Sequence, residues 1–224
     1  MKITIKWLEE NYADWDMREW FDNYCKKALA SRVCADCLCS SYTDGEGKKF
    51  CNWLLTHTLN KKNRLRYVFF IAKTMSPKWN SQFPKDNRIT NGIESAMNAI
   101  KSKTKSNLIN ANIAEKYVRF ARQLASDKVK TLSRTEESSP ILDDNYNIID
   151  YYPVPSDKVF EAEQAAKCLS LTLESINKVD KNGMPDSLST ICVFLYSSMD
   201  KELLEYGIKL LQTQEKFERQ KQER

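Results

Sequence analysis

Histidine is almost absent: His57 is the single one in 224 residues. That removes most Ser–His, Cys–His and imidazole acid–base chemistry unless His57 itself carries it. Glycine and proline are also scarce, at 5 and 6 residues. Few turn residues disfavour a fold of many short strands and favour long helices. No run approaches the roughly 18 apolar residues of a membrane span. The start, Met1-Lys2-Ile3-Thr4-Ile5-Lys6, has no signal-peptide character, so the chain is read as cytoplasmic. Seven cysteines with no secretory signal argue against a disulfide scaffold.

What the chain has in quantity is charge, and it is unevenly spread. Residues 1–60 carry 8 basic and 9 acidic side chains, residues 61–134 carry 17 and 4, and residues 135–224 carry 10 and 17. The central block is a footprint for a polyanion. The plainer reading is a solvated helical surface, but these basic residues interleave with aromatics, which solvation does not require.

Apolar spacing predicts helices over 7–33, 48–59 and 63–75, the last stopped or kinked by Pro77. Another helix runs to about Lys101, with Asp86 or Asn87 as its N-cap, or Asn91 with Glu94 as a capping-box alternative. Lys101 to Asn107 reads as a basic loop. The spacing then predicts a long amphipathic helix over 108–132. One of its stripes holds Ile109, Ile113, Tyr117, Phe120 and Leu124; Ala114, Val118, Ala121, Ala125 and Val129 lie beside it. Residues 135–156, acidic and Pro-containing, read as a linker. Helices are expected over 157–177, 186–198 and 200–223, with a break at Lys181 to Pro185 and Gly207 interrupting the last. The expected fold is all-α: an N-terminal extension over 1–60, a central domain over 61–134, the linker, and a C-terminal domain over 157–224.

Two motifs carry chemistry. Cys34, Cys37, Cys39 and Cys51 contain one Cys-x2-Cys pair of the kind a zinc knuckle uses, without a second such pair. Zinc is therefore a possible cofactor, set against small thiols packed in a helical core. The second motif is the stretch 63–134, read as a buried helix, a loop, a short capped helix, a basic loop and a long helix that carries both aromatics and basic residues. Aromatics can stack on unpaired bases while Lys and Arg neutralise phosphates.

Asn91 to Ile100, a basic loop, then Ala111 to Arg122 resemble the promoter-melting domain of bacterial and phage sigma factors. Asp86, Gly92, Ala114, Val118 and Arg119 fall at that pattern's positions, while Ala96, Met97, Lys116 and Tyr117 depart from it. The resemblance implies a transcription initiation factor that is not an enzyme, takes no small-molecule substrate and contacts no membrane. Its partners would be RNA polymerase core, met through Asp86, Asn87, Asn91, Glu94 and Asn98, and promoter DNA. DNA would be held by Lys101, Lys103, Lys105, Lys116, Tyr117, Arg119, Phe120, Arg122, Gln123, Lys128 and Lys130. The stretch 200–219 is similar to a helix-turn-helix, which would add Gln212 and Lys216.

A rival resemblance rests on Phe83-Pro84-Lys85-Asp86-Asn87-Arg88 followed by Ile93-Glu94-Ser95-Ala96. It is similar to a pattern in bacterial toxin-immunity families. It implies a helical interaction protein whose basic block meets an acidic toxin. An enzyme using Cys25 or Cys51 with His57 is the third reading, although no spacing places a base beside a nucleophile.

Overall fold

The computed structural model describes residues 2–25, 28–39, 44–133, 140–142, 148–151, 155–177 and 201–223. The fold is all-α, with two small antiparallel ribbons among the described residues. The chain divides into two compact units, Met1–Tyr67 with Asp180–Arg224, and Val68–Val179.

In the first unit, the single helix expected over 7–33 is broken into α1 (Ile5–Glu10), α2 (Trp15–Tyr24) and α3 (Ala30–Cys39). Local caps impose the breaks. The Thr4 hydroxyl accepts a hydrogen bond from Trp7 N at 3.2 Å, and the Asp14 carboxylate accepts from Met17 N at 2.9 Å. Between them Tyr12 sits at φ 60°, a left-handed position that a continuing helix cannot hold. Strand β1 (Lys2–Ile3) then pairs with β2 (Ala28–Leu29) and ties the N-terminus down. Helix α4 (Asp44–Thr58) follows, starting earlier than expected.

The core of this unit is aromatic. Trp20 meets Phe50 edge-to-face at 5.7 Å between ring centroids, and Phe21, Leu54, Leu55 and Tyr67 are fully buried. The Tyr67 hydroxyl donates to Asn52 Oδ1 at 2.9 Å, which satisfies two polar groups inside the core.

Helix α5 (Lys61–Gln82) continues past Pro77. Proline cannot bond the carbonyl four residues back, and here the Ser76 hydroxyl donates to that carbonyl, Lys73 O, at 2.8 Å. The expected stop is therefore absorbed locally.

The second unit is built on α6 (Arg88–Lys101), α7 (Lys105–Leu132) and α8 (Pro155–Asn177). Asn87 is the N-cap of α6 but its side chain makes no capping bond; Asp86 Oδ1 instead accepts from Arg88 N at 3.0 Å. Helix α7 is capped by Thr104, which accepts from Asn107 N at 3.2 Å. The inner faces are small: Ala96, Ala99, Ala111, Ala114, Ala121, Ala125, Ala162, Ala165 and Ala166 are buried. Gly92 marks the tightest approach. A Cβ there would lie 2.8 Å from both Val118 Cγ2 and Leu169 Cδ2.

Two boundaries read from sequence are corrected. The stretch 135–156 contains an antiparallel ribbon of β3 (Pro140–Leu142) and β4 (Ile148–Tyr151); Glu136 to Ser139 and Asp143-Asp144 lie outside the described residues. The stretch 157–224 is not one domain. Helix α8 lies along α7 in the second unit, while α9 (Lys201–Gln222) packs on α3 and α4 in the first. The reason is face matching. The small buried residues of α8 fit the alanine face of α7, and Leu203, Leu204, Ile208 and Leu211 of α9 are buried in its own unit.

Nor does α9 turn at Gly207. The helix is continuous there, and a Cβ at that position would lie 2.6 Å from Leu55 Cδ1 and 2.8 Å from Tyr67 Cε2. The glycine serves close packing, and the expected helix-turn-helix within 200–219 is not formed. The break at Lys181 to Pro185 and the helix expected over 186–198 lie outside the described residues.

Candidate functional site

The α7 helix has two apolar stripes, and both satisfy helical spacing. The stripe of Ala111, Ala114, Val118, Ala121 and Ala125 is buried. The other one, Ile109, Ile113, Tyr117, Phe120 and Leu124, faces outward, at 50%, 48%, 57%, 67% and 50% exposure. Steps of four, four, three and four residues align these side chains along one face. Large apolar side chains gathered this way mark a binding surface more often than a chance of folding.

The charged groups around the stripe divide by residue type. The arginines turn to carboxylates of the same unit. Arg119 pairs with Glu115 on its own helix and with Glu174 on α8 at 3.4 Å, and Arg122 Nε pairs with Glu163 on α8 at 2.9 Å. The lysines face solvent. Lys101, Lys103, Lys105 and Lys116 are exposed and form no ion pair among the described residues. Lys128 lies 4.9 Å over the Phe83 ring, Lys130 is 3.9 Å from Asp127, and Gln123 donates to Asp127 at 2.9 Å. Lys103, Lys105, Leu108, Ile109, Asn112 and Ile113 line a shallow groove at one end of the stripe. Asn107 holds that end in shape, its Nδ2 donating to Ser102 O at 2.8 Å and Asn98 O at 3.3 Å.

At the other end Leu124 joins a second groove with Phe83, Pro84, Asn87, Arg88 and Asn91. The stacking of Phe83 on Trp79, at 4.3 Å between centroids, anchors it. Of the α6 residues assigned to polymerase, Asn87, Asn91, Glu94 and Asn98 are exposed along one face. Asp86 is different: its two oxygens take Arg88 Nε at 2.9 and 3.0 Å, with a further bond from Nη2 at 2.5 Å. The hydrogen bond from Arg88 holds the Asp86 carboxyl below its ordinary range, against a smaller opposing effect of burial. Its carboxylate is thus committed inside the unit.

Gln212 and Lys216 are exposed on α9, in the first unit.

The cysteine group also lies in the first unit. Cys34, Cys37 and Cys51 are buried, and the Cys34 thiol donates to Cys51 O at 3.8 Å. Burial pushes the Cys37 and Cys51 thiols well above their ordinary value. The side chain of Cys39 lies outside the described residues. Among the described residues no group of three or more His, Cys, Asp or Glu is placed to hold a metal ion. His57 is stacked on Trp53 at 4.1 Å, with its Nδ1 bonded to Trp53 O at 2.8 Å. Both its ring face and one nitrogen are engaged with its own helix.

The residues not singled out from sequence as a site are Ile109, Ile113 and Leu124. The signal for them was available. Small residues at 111, 114, 121 and 125 match small residues at 162, 165 and 166, and two small faces pack closely enough to leave the large face outside.

Comparison with protein-family models, curated proteins and solved structures finds no match to this chain.

Proposed function

We propose that the protein acts by binding a partner protein through the outward face of α7, as a helical interaction protein of the immunity type. The observation that carries this reading is the exposed stripe from Ile109 to Leu124, whose neighbouring arginines are held by the unit's own carboxylates. An apolar helix face flanked by lysines suits a hydrophobic groove with an acidic rim. Tyr117 and Phe120, central in the stripe, are its anchors. Neutralising an acidic toxin by direct contact is the finer form of this reading, and it rests on the resemblance around Phe83 to Ala96.

The test compares proteins retained from host lysate by the wild type, by Y117A/F120A and by K103A/K105A/K116A. A partner toxin should be held by the wild type and purified with it. Loss of an anchor should weaken the complex by about 2 kcal/mol or more, roughly 30-fold in Kd. A complex indifferent to Y117A/F120A overturns the assignment of the face.

A second reading, the sigma-like initiation factor, is favoured by one observation: Lys101, Lys103, Lys105 and Lys116 are exposed without an ion pair among the described residues, in the unit whose α7 turns Tyr117 and Phe120 outward. Co-purification of polymerase core would replace the first reading with this one, provided that promoter binding by K103A/K105A/K116A shows a shallower salt slope.

A further inference from the structure

A different surface, wholly within the first unit, carries an inference independent of the α7 face. Helix α9 and the start of α5 are joined by one side chain, Gln214. Its Oε1 accepts from Asn60 N at 2.9 Å and from Asn63 Nδ2 at 3.4 Å, and its Nε2 donates to Thr58 O at 3.1 Å. Arg64 closes the end of α4, donating to Leu59 O at 2.9 and 3.2 Å. These bonds fix both walls of a groove lined by Lys62, Asn63, Arg66, Gln214, Phe217 and Lys221, among others.

Its composition is distinctive. Phe217 is 60% exposed, and Lys221 Nζ lies 5.2 Å over its ring. Lys62 and Arg66 are exposed and form no ion pair among the described residues. Glu218 is the acidic member of the lining, and it accepts from Gln214 Nε2 at 3.2 Å. An exposed ring among cations offers a stacking platform with charge on either side. Duplex DNA hides the faces of its bases and cannot use such a platform; an unpaired base can. A peptide would also find cations here, but a run of carboxylates would not stack on the exposed Phe217 ring as a base does. Phosphates would meet Lys62, Arg66 and Lys221, which line the groove from two helices.

We infer that this α5–α9 groove binds single-stranded nucleic acid, with Phe217 stacking on a base and Lys62, Arg66 and Lys221 contacting phosphates.

The test is fluorescence anisotropy with labelled oligo-dT and oligo-U of about 15 nucleotides, long enough to span one such groove. A duplex of equal length serves as comparison, and salt is varied between about 50 and about 200 mM. The wild type should bind the single strands more tightly than the duplex. F217A should weaken that binding about tenfold. K62A/R66A/K221A should weaken it further and lower the salt slope by about 2, as three lost phosphate contacts on a single strand require. All four side chains are exposed, so unfolding midpoints should stay unchanged and serve as the folding control.

Absence of single-strand binding at the lowest salt overturns the inference. So does binding that survives K62A/R66A/K221A but is lost in K103A/K105A/K116A, which would move the nucleic-acid contact to α7. Failure of the α7 protein-binding test leaves this result untouched, because the two sets of variants share no residue.

Discussion

The two units solve the same burial problem with opposite materials. The first fills its core with rings: Trp20, Phe21, Phe50 and Tyr67 are inside, with Asn52 satisfying the one phenol. The second builds the interior of α6, α7 and α8 largely from alanine and leaves Tyr117 and Phe120 outside. Large aromatics bury much area per residue but hold helices apart; alanine buries little but lets helices approach. The difference teaches where each unit can spare its large side chains. In the first unit they are needed for stability. In the second, Trp79 is the buried ring, α6, α7 and α8 meet largely through small side chains, and Tyr117 and Phe120 are left outside.

This contrast can be broken by substitution, and the largest effect belongs to the aromatic core. Phe50→Ala should cost about 3–5 kcal/mol in urea unfolding, by loss of burial and a residual cavity. A cost under about 1 kcal/mol would mean that the ring cluster is not what holds the first unit together.

Next is the close contact of the second unit. A helical Gly→Ala change ordinarily stabilises by about 0.5–1 kcal/mol. Gly92→Ala should instead destabilise by about 1–2 kcal/mol, because its Cβ meets Val118 and Leu169 at 2.8 Å. A raised thermal midpoint would show that α6 has slack against its neighbours.

A pH effect of smaller size is expected from His57. Burial lowers its pKa below the ordinary 6.5, and Arg64 adds to the shift while the bond to Trp53 O opposes it. The unfolded chain therefore takes up the proton first as pH falls. Stability is full above the unfolded value, declines as pH drops toward the folded value and levels off below it. Urea midpoints measured from about pH 8 to about pH 5 should show this limb, and His57→Phe should flatten it. An identical pH profile in that variant would assign the limb to another group.

The smallest effect on stability belongs to the outward face. Phe120→Ala should change unfolding by no more than about 0.5 kcal/mol, in contrast to Phe50→Ala. A larger loss would mean that Phe120 supports the fold, and the face would lose its claim to be held in reserve for a partner.

Much of this was legible in the residues. The ends of α6 at Lys101 and of α7 at Leu132 follow from the apolar spacing, and the solvent-facing lysines from their opposition to it, but α7 starts at Lys105, inside the stretch expected as a basic loop, because the Thr104 hydroxyl caps it. The fate of Pro77 was harder to read, because the compensating bond comes from a serine one residue earlier whose rotamer is set by the folded helix. The arginines of α7 were legible as charges but not as partners: Glu163 lies 41 residues beyond Arg122, and Glu174 lies 55 residues beyond Arg119. Ion pairing across that separation is a property of the packed helices.

By itself, the sequence determined the helical class, the scarcity of imidazole chemistry, the concentration of positive charge between residues 61 and 134 and the two stripes of α7. Which stripe would be buried, and which unit would claim each of the last two helices, only the tertiary structure decided. Helical periodicity says that a face is apolar but not what will cover it; that depends on the size of the residues opposite. Alanines on α8 chose the alanines on α7, and glycine at 207 let α9 close onto Leu55 and Tyr67.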